Sequence, residues 1–228
     1  MMRFLSFLLL SFILISCGEK TTEKSLNPQY NFFYPFDKTP KIYLYRDVAR
    51  GLEEEFQRVY GIKDSKGKHI IVERYTSDGR LVEALNYNLD SLQVFDHMVV
   101  DRFRKKESAL IYKNELFPFD LKKESWFASK FKGVVDSTLM LKEVKRKFSK
   151  KMEIPVMGEN KQALKFNETI RLTVINPFTK KEESRSAKAI TYFAEGVGMV
   201  EWHSPNKKVH FRLEQILSQE KWVQIISR

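Results

Sequence analysis

Apolar residues alternate with polar ones along much of this chain, and the period of two predicts strands more often than helices. Ile42-Tyr43-Leu44-Tyr45 has the aromatic and branched composition of a pleated strand. Residues 53 to 62 are ambiguous: with Leu52 before them, Phe56, Val59 and Tyr60 fit a helix face, while Phe56, Arg58 and Tyr60 fit a strand. The tight-turn sequence Asp64-Ser65-Lys66-Gly67 leads into His69-Ile70-Ile71-Val72 and favours a hairpin. Asp78-Gly79 then separates that run from Leu81-Val82-Glu83-Ala84-Leu85, a second hairpin cue. With strands at 93 to 101 and 108 to 113, the first half reads as a meander.

Residues 114 to 137 break the pattern with Pro118, Trp126, Phe127, Phe131 and Gly133. They read as a long excursion, with room for a short helix, covering one face or end of the sheet. Residues 139 to 152 lean to strand. Ala163-Leu164-Lys165-Phe166 and Ile170-Arg171-Leu172-Thr173-Val174 read as two strands, before a turn at Asn176-Pro177. Val209, Phe211 and Leu213 alternate with His210, Arg212 and Glu214, the pattern of a half-buried strand. Ser218 is placed to cap a last short helix with Trp222, Ile225 and Ile226 inward. The expected fold is α+β, mainly antiparallel β: a curved sheet or incomplete barrel with one or two short helices, in a single β-rich domain over 30–228.

The chain starts differently. Arg3 precedes a run from Phe4 to Ile15 of apolar residues broken only by Ser6 and Ser11, then Ser16-Cys17-Gly18. One basic residue, a short apolar run and a small residue are the plan of a secretion signal, and the run is short of the roughly 20 residues that span a bilayer. Leu14-Ile15-Ser16-Cys17 resembles the lipobox of bacterial lipoproteins. That resemblance implies cleavage between Ser16 and Cys17 and a diacylglycerol on the Cys17 thiol, hence residues 1–16 as signal and 17–29 as an acylated flexible tether. Two or more acyl chains give stable anchoring where one is marginal. In a Gram-negative cell the same resemblance implies the outer membrane, since Gly18 stands in place of an inner-membrane retention residue such as Asp. The polar tether Gly18 to Gln29 reaches about 20 Å as a coil. Five aromatics in Tyr30-Asn31-Phe32-Phe33-Tyr34-Pro35-Phe36 follow it. They are expected to plug the core, with an interfacial membrane anchor as the alternative.

Val156-Met157-Gly158, Ala163 to Phe166 and Tyr192-Phe193-Ala194-Glu195-Gly196-Val197-Gly198-Met199-Val200-Glu201-Trp202 form a second resemblance. They are similar to a strand pair of secreted or lipid-anchored bacterial β-proteins of unknown function. Those domains are relatives, in architecture, of the LolA/LolB lipoprotein carriers and other periplasmic lipid-binding half-barrels. The likeness covers about residues 150 to 217, implies a curved antiparallel sheet and brings no site residue with it. Without the family, Gly196 and Gly198 around Val197 suit a structural turn or bulge between strands. A phosphate cradle would need a helix to follow, and Met199-Val200-Glu201-Trp202 reads as strand.

Of 228 residues 43% are hydrophobic, enough for a real core, and 40 Lys plus Arg stand against 29 Asp plus Glu. A single cysteine excludes an internal disulfide and a cysteine-based zinc cage; given to lipid, it also excludes a thiol nucleophile. There is no G-x-S-x-G elbow, H-E-x-x-H pair or Walker loop. His69, His97, His203 and His210 fall on separate predicted strands, and no metal, cofactor or catalytic residue is assigned. Glu53-Glu54-Glu55 reads as a wet face.

The basic excess concentrates in Lys142, Lys145, Arg146, Lys147, Lys150 and Lys151, interrupted by the one acid Glu143. On a surface this run would draw an anionic lipid, a glycan or an envelope protein; the compartment argues against nucleic acid. The expected role is a membrane-anchored, non-catalytic binding or interaction module. The alternatives are a carrier or acceptor with an apolar cavity in a half-barrel, and an envelope enzyme of unrecognised type.

Overall fold

The computed structural model describes residues 27–51, 53–101, 103–133 and 138–227. The signal, Ser16, Cys17 and nearly all of the tether lie outside the described residues. Thirteen strands follow in chain order: β1 (Lys41–Asp47), β2 (Glu54–Asp64), β3 (Gly67–Thr76), β4 (Leu81–Asn88), β5 (Gln93–Val100), β6 (Lys106–Ser108), β7 (Leu110–Asn114), β8 (Ser125–Lys132), β9 (Leu139–Val156), β10 (Glu159–Ile175), β11 (Glu182–Ala194), β12 (Gly198–His203) and β13 (His210–Ser218). A 3-10 helix (Pro28–Phe32) precedes them and α1 (Gln219–Ile226) ends the chain.

All thirteen belong to one antiparallel sheet, ordered β6-β5-β4-β3-β2-β1-β13-β12-β11-β10-β9-β8-β7. β1 is its middle, paired with β2 on one side and β13 on the other. The two edges, β6 and β7, are consecutive in sequence and separated only by Ala109. A sheet whose edge strands are joined by one residue must curl until those edges meet. The result is a nearly closed barrel, the curved antiparallel architecture expected, with one short α-helix and one 3-10 turn. Short edge strands leave little unpaired backbone exposed.

One expectation fails at residues 114–137. Residues 125–132 are not an excursion but strand β8, paired with β9 from Ser125↔Arg146 to Lys132↔Leu139. Its alternation is disguised, because Trp126 and Ala128 face outward while Ser129 shares the inward face with Phe127 and Phe131. A second difference is that 163–166 and 170–174 belong to a single strand, β10. The polar stretch Asn167-Glu168-Thr169 does not interrupt it, since Glu168 points inward and is buried beside an arginine.

The barrel interior is filled at one end. Phe32, Phe33 and Tyr34 are buried there, and the Phe33 ring sits 4.9 Å from Tyr87 and 5.1 Å from Phe117. Three of the five entering aromatics are therefore core, while Tyr30 is half-buried and Phe36 is exposed. Tyr43 and Tyr45 hydroxyls donate to the carbonyls of Val197 and Met199 at 2.9 and 2.7 Å. The turn they hold contains Gly196 (φ 72°) and Gly198 (φ 100°). A second apolar cluster lies outside the barrel, where Trp222 of α1 covers Ile42, Leu44 and Phe56. Ser218 Oγ caps that helix by accepting from Lys221 N at 3.3 Å.

Candidate functional site

The other half of the lumen, toward the loops at 77–80 and 176–181, is not filled by side chains. It forms a cavity of about 480 Å³, within the usual range of small-molecule sites. Val99 of β5, Phe131 of β8, Met140 of β9, Ile170 and Leu172 of β10 and Met199 of β12 give it an apolar wall. Its floor is charged, and every charge there has a partner within the protein.

Glu83 of β4 is the hub. Lys142 Nζ of β9 reaches its two carboxylate oxygens at 2.7 and 3.0 Å, and Arg74 Nε of β3 reaches it at 3.1 Å. His97 Nε2 of β5 lies 3.1 Å away. Burial alone would raise the Glu83 pKa; Lys142, the His97 hydrogen bond and Arg74 outweigh it and hold the carboxyl well below its ordinary range. An ionised carboxylate only accepts, so His97 Nε2 carries the proton. His97 Nδ1 is hydrogen-bonded to Ser129 Oγ at 2.9 Å.

The network continues toward the plugged end. Arg74 Nη1 is 3.5 Å from Glu55, Gln57 Nε2 donates to Glu55 at 3.1 Å, and Tyr34 Oη donates to Gln57 at 2.7 Å. Burial, above all, raises the Tyr34 pKa, so its hydroxyl stays protonated and donates. Glu55 thus departs from its neighbours: Glu53 is exposed, whereas Glu55 turns into the lumen.

A separate ion pair closes the floor on the opposite side. Arg146 Nε meets Glu168 Oε1 at 2.6 Å, Thr191 Oγ1 donates to the same oxygen at 2.6 Å, and Arg146 Nη1 donates to the Leu116 carbonyl at 2.9 Å. The guanidinium also stands 5.0 Å from the Phe193 ring centre. Arg146 and Glu168 are both buried.

The basic run is thus not one surface. Lys142 and Arg146 point into the barrel and are consumed by Glu83 and Glu168. Lys145, Lys147, Lys150 and Lys151 are exposed. A strand sends successive residues to opposite faces, which parts Lys142 and Arg146 from Lys145 and Lys147; a register shift opposite Lys165 and Phe166 breaks that alternation before Lys150 and Lys151. Among the described residues no group of three or more His, Cys, Asp and Glu side chains is arranged to hold a metal ion.

Ser129, His97 and Glu83 have the connectivity of a nucleophile, a base and an orienting acid. The cavity, however, touches only Glu83; Ser129 and His97 have no exposed surface. The hydroxyl that would have to attack a substrate is sealed in the barrel wall. What the site offers is an apolar chamber over a floor with three acids, Glu55, Glu83 and Glu168, and three bases, Arg74, Lys142 and Arg146. That arrangement suits an amphiphilic molecule of modest size. Sequence reading missed it because its residues come from nine strands, from β2 to β12.

No family model matches the sequence, and no curated protein does. Two solved structures are similar to this chain at low identity. A candidate lipoprotein from Parabacteroides distasonis is 13% identical, with a TM-score of 0.47 over 82% of this chain and 98% of that one. A candidate exported protein with a YmcC-like fold from Bacteroides fragilis is 14% identical, with a TM-score of 0.42 over 82% and 99%. Among the described residues no helix is long and apolar enough to cross a membrane.

Proposed function

We propose that this chain is an exported lipoprotein, anchored through Cys17, with a non-catalytic binding role carried by the barrel cavity. The observation behind the binding role is the chamber of about 480 Å³, apolar on its wall and charged but internally neutralised on its floor. A lumen that is electroneutral as built selects by shape and apolar contact, leaving polar floor atoms for a headgroup. The ligand class this fits is a small amphiphile, with the protein as its carrier or acceptor. The anchor rests on the apolar run Phe4–Ile15 ending at the only cysteine.

The chain from residue 18 onward keeps every described strand and both apolar clusters, so it can be tested without the anchor. Native mass spectrometry after incubation with an envelope lipid extract is expected to show one stoichiometric ligand, released into organic solvent. Leu172→Trp, which fills the chamber, is expected to lower its occupancy. A clean unliganded mass for the unsubstituted chain, before and after incubation, would remove the cavity from the proposal. Separately, Cys17→Ser in the full chain is expected to give an unprocessed or soluble form, and a processed, membrane-bound variant would remove the anchor.

A further inference from the structure

The outward face of β7 to β11 carries cations that the barrel does not use. Lys130 of β8, Lys145 and Lys147 of β9, Arg171 of β10 and Lys188 of β11 face away from the lumen, and Lys113 of β7 joins them. Register sets them side by side: Lys145 lies opposite both Trp126 and Thr169, and Thr169 lies opposite Lys188. Among the described residues none of these six makes an ion pair, whereas Arg74, Lys142 and Arg146 inside the barrel are all paired. Their cross-strand partners include one acid, Glu143, opposite Arg171.

Aromatic and apolar side chains border this array. Trp126, 37% exposed, has Lys113 Nζ at 4.8 Å and Lys145 Nζ at 5.0 Å from its ring centre. Tyr112 is exposed, with Lys130 Nζ at 5.4 Å from its ring. A register shift between Ile111 and Lys113 leaves Tyr112 and Lys113 both on the surface. Leu110, opposite Lys130, is exposed as well.

We propose that this wall rests on an anionic phospholipid surface. Strands lie about 4.8 Å apart, so the cations spread over about 20 Å of convex barrel wall. Separate charges on a convex face match the smeared charge of a headgroup layer, where a discrete anion would need converging donors. Trp and Tyr belong at headgroup depth, and lysine stems cover apolar surface while their ammonium groups reach outward. The wall stands apart from the cavity, and neither reading depends on the other.

The test is sedimentation of the chain from residue 18 onward with vesicles of phosphatidylcholine alone, or with about 40% phosphatidylglycerol. Binding is expected only to the anionic vesicles, weakening as salt rises. Lys147→Gln is expected to cost about fivefold in affinity, and Lys113→Gln, Lys145→Gln and Lys147→Gln together about 100-fold. The same three changes at Lys63, Lys207 and Lys208 should leave binding within about twofold of the parent. Failure to bind anionic vesicles, unchanged binding by the wall variants, or equal losses in both sets would overturn the proposal. Retention on immobilised alginate without vesicle binding would also overturn it, giving the wall to an acidic polysaccharide.

Discussion

His97 of β5 and Ser129 of β8 are joined by a 2.9 Å hydrogen bond across the seam where the two edges of the sheet meet. The imidazole packs edge-on against Phe127 and Phe131, at 5.5 and 5.9 Å between ring centres. The Ala109 amide also donates to the His97 carbonyl, at 2.7 Å. Continuous strand pairing stops at β6 and β7, and this histidine carries the closure past them. Ser129→Ala removes the partner and leaves a buried ring nitrogen unsatisfied, an expected loss of about 2 kcal/mol in urea unfolding. Amide exchange should rise first in β5, β7 and β8. A loss spread evenly over the sheet would mean that the seam is not where the bond acts.

Glu83→Gln strands Lys142 and Arg74 over an unchanged cavity floor. Breaking one side of a buried ion pair costs about 3–5 kcal/mol, and because Glu83 retains some solvent contact the lower end is expected. The pH dependence has a definite sign. The folded-state pKa of Glu83 lies well below the ordinary 4.5, so its stabilisation is complete above that value and is lost as pH falls through the folded pKa. The stability gap between parent and Glu83→Gln should therefore be constant near neutrality, persist below pH 4.5 and close only in stronger acid. A gap already closed at that pH would show that Lys142 and Arg74 do not hold the carboxylate.

Arg146 and Glu168 make a separable test. Arg146→Ala should destabilise the barrel by about 3–5 kcal/mol, since it leaves a buried carboxylate unpaired. Replacing both partners with apolar residues, Arg146→Met with Glu168→Leu, should recover most of that loss. Near-normal melting of Arg146→Ala would place this residue back among the surface cations.

The two turn glycines should separate as well. A Cβ at Gly196 meets nothing within 4 Å and pays only for its positive φ of 72°, about 1 kcal/mol. At Gly198, φ is 100° and a Cβ would lie 2.4 Å from the Tyr34 ring, adding overpacking of about 1–3 kcal/mol. Gly198→Ala is thus expected to melt well below Gly196→Ala. Equal melting temperatures would mean that Tyr34 is free to give way.

Much of the strand content was legible because a half-buried strand writes its two faces into alternate residues. The hairpins at Asp64–Gly67 and Asp78–Gly79, the final strand through Phe211 and Leu213, and the helix capped by Ser218 all follow from local pattern and turn chemistry. β8 did not, because Ser129 takes an inward position that local reasoning gives to an apolar residue. Its reason for being there is His97, distant in sequence and adjacent only once the barrel has curled.

The same distance governs the site. The sequence by itself determined an antiparallel sheet, its turns, a basic excess and an apolar run shortly before Cys17, each a property of neighbours along the chain. Only the tertiary structure decided that Lys142 and Arg146 face inward, that Glu83 gathers three partners, and that the lumen stays unfilled at one end. Charge is additive along a sequence, but its meaning depends on which face of a strand carries it and what stands opposite. For Lys142 and Arg146 against Lys145 and Lys147, that division between faces separated the floor of a cavity from the surface outside it.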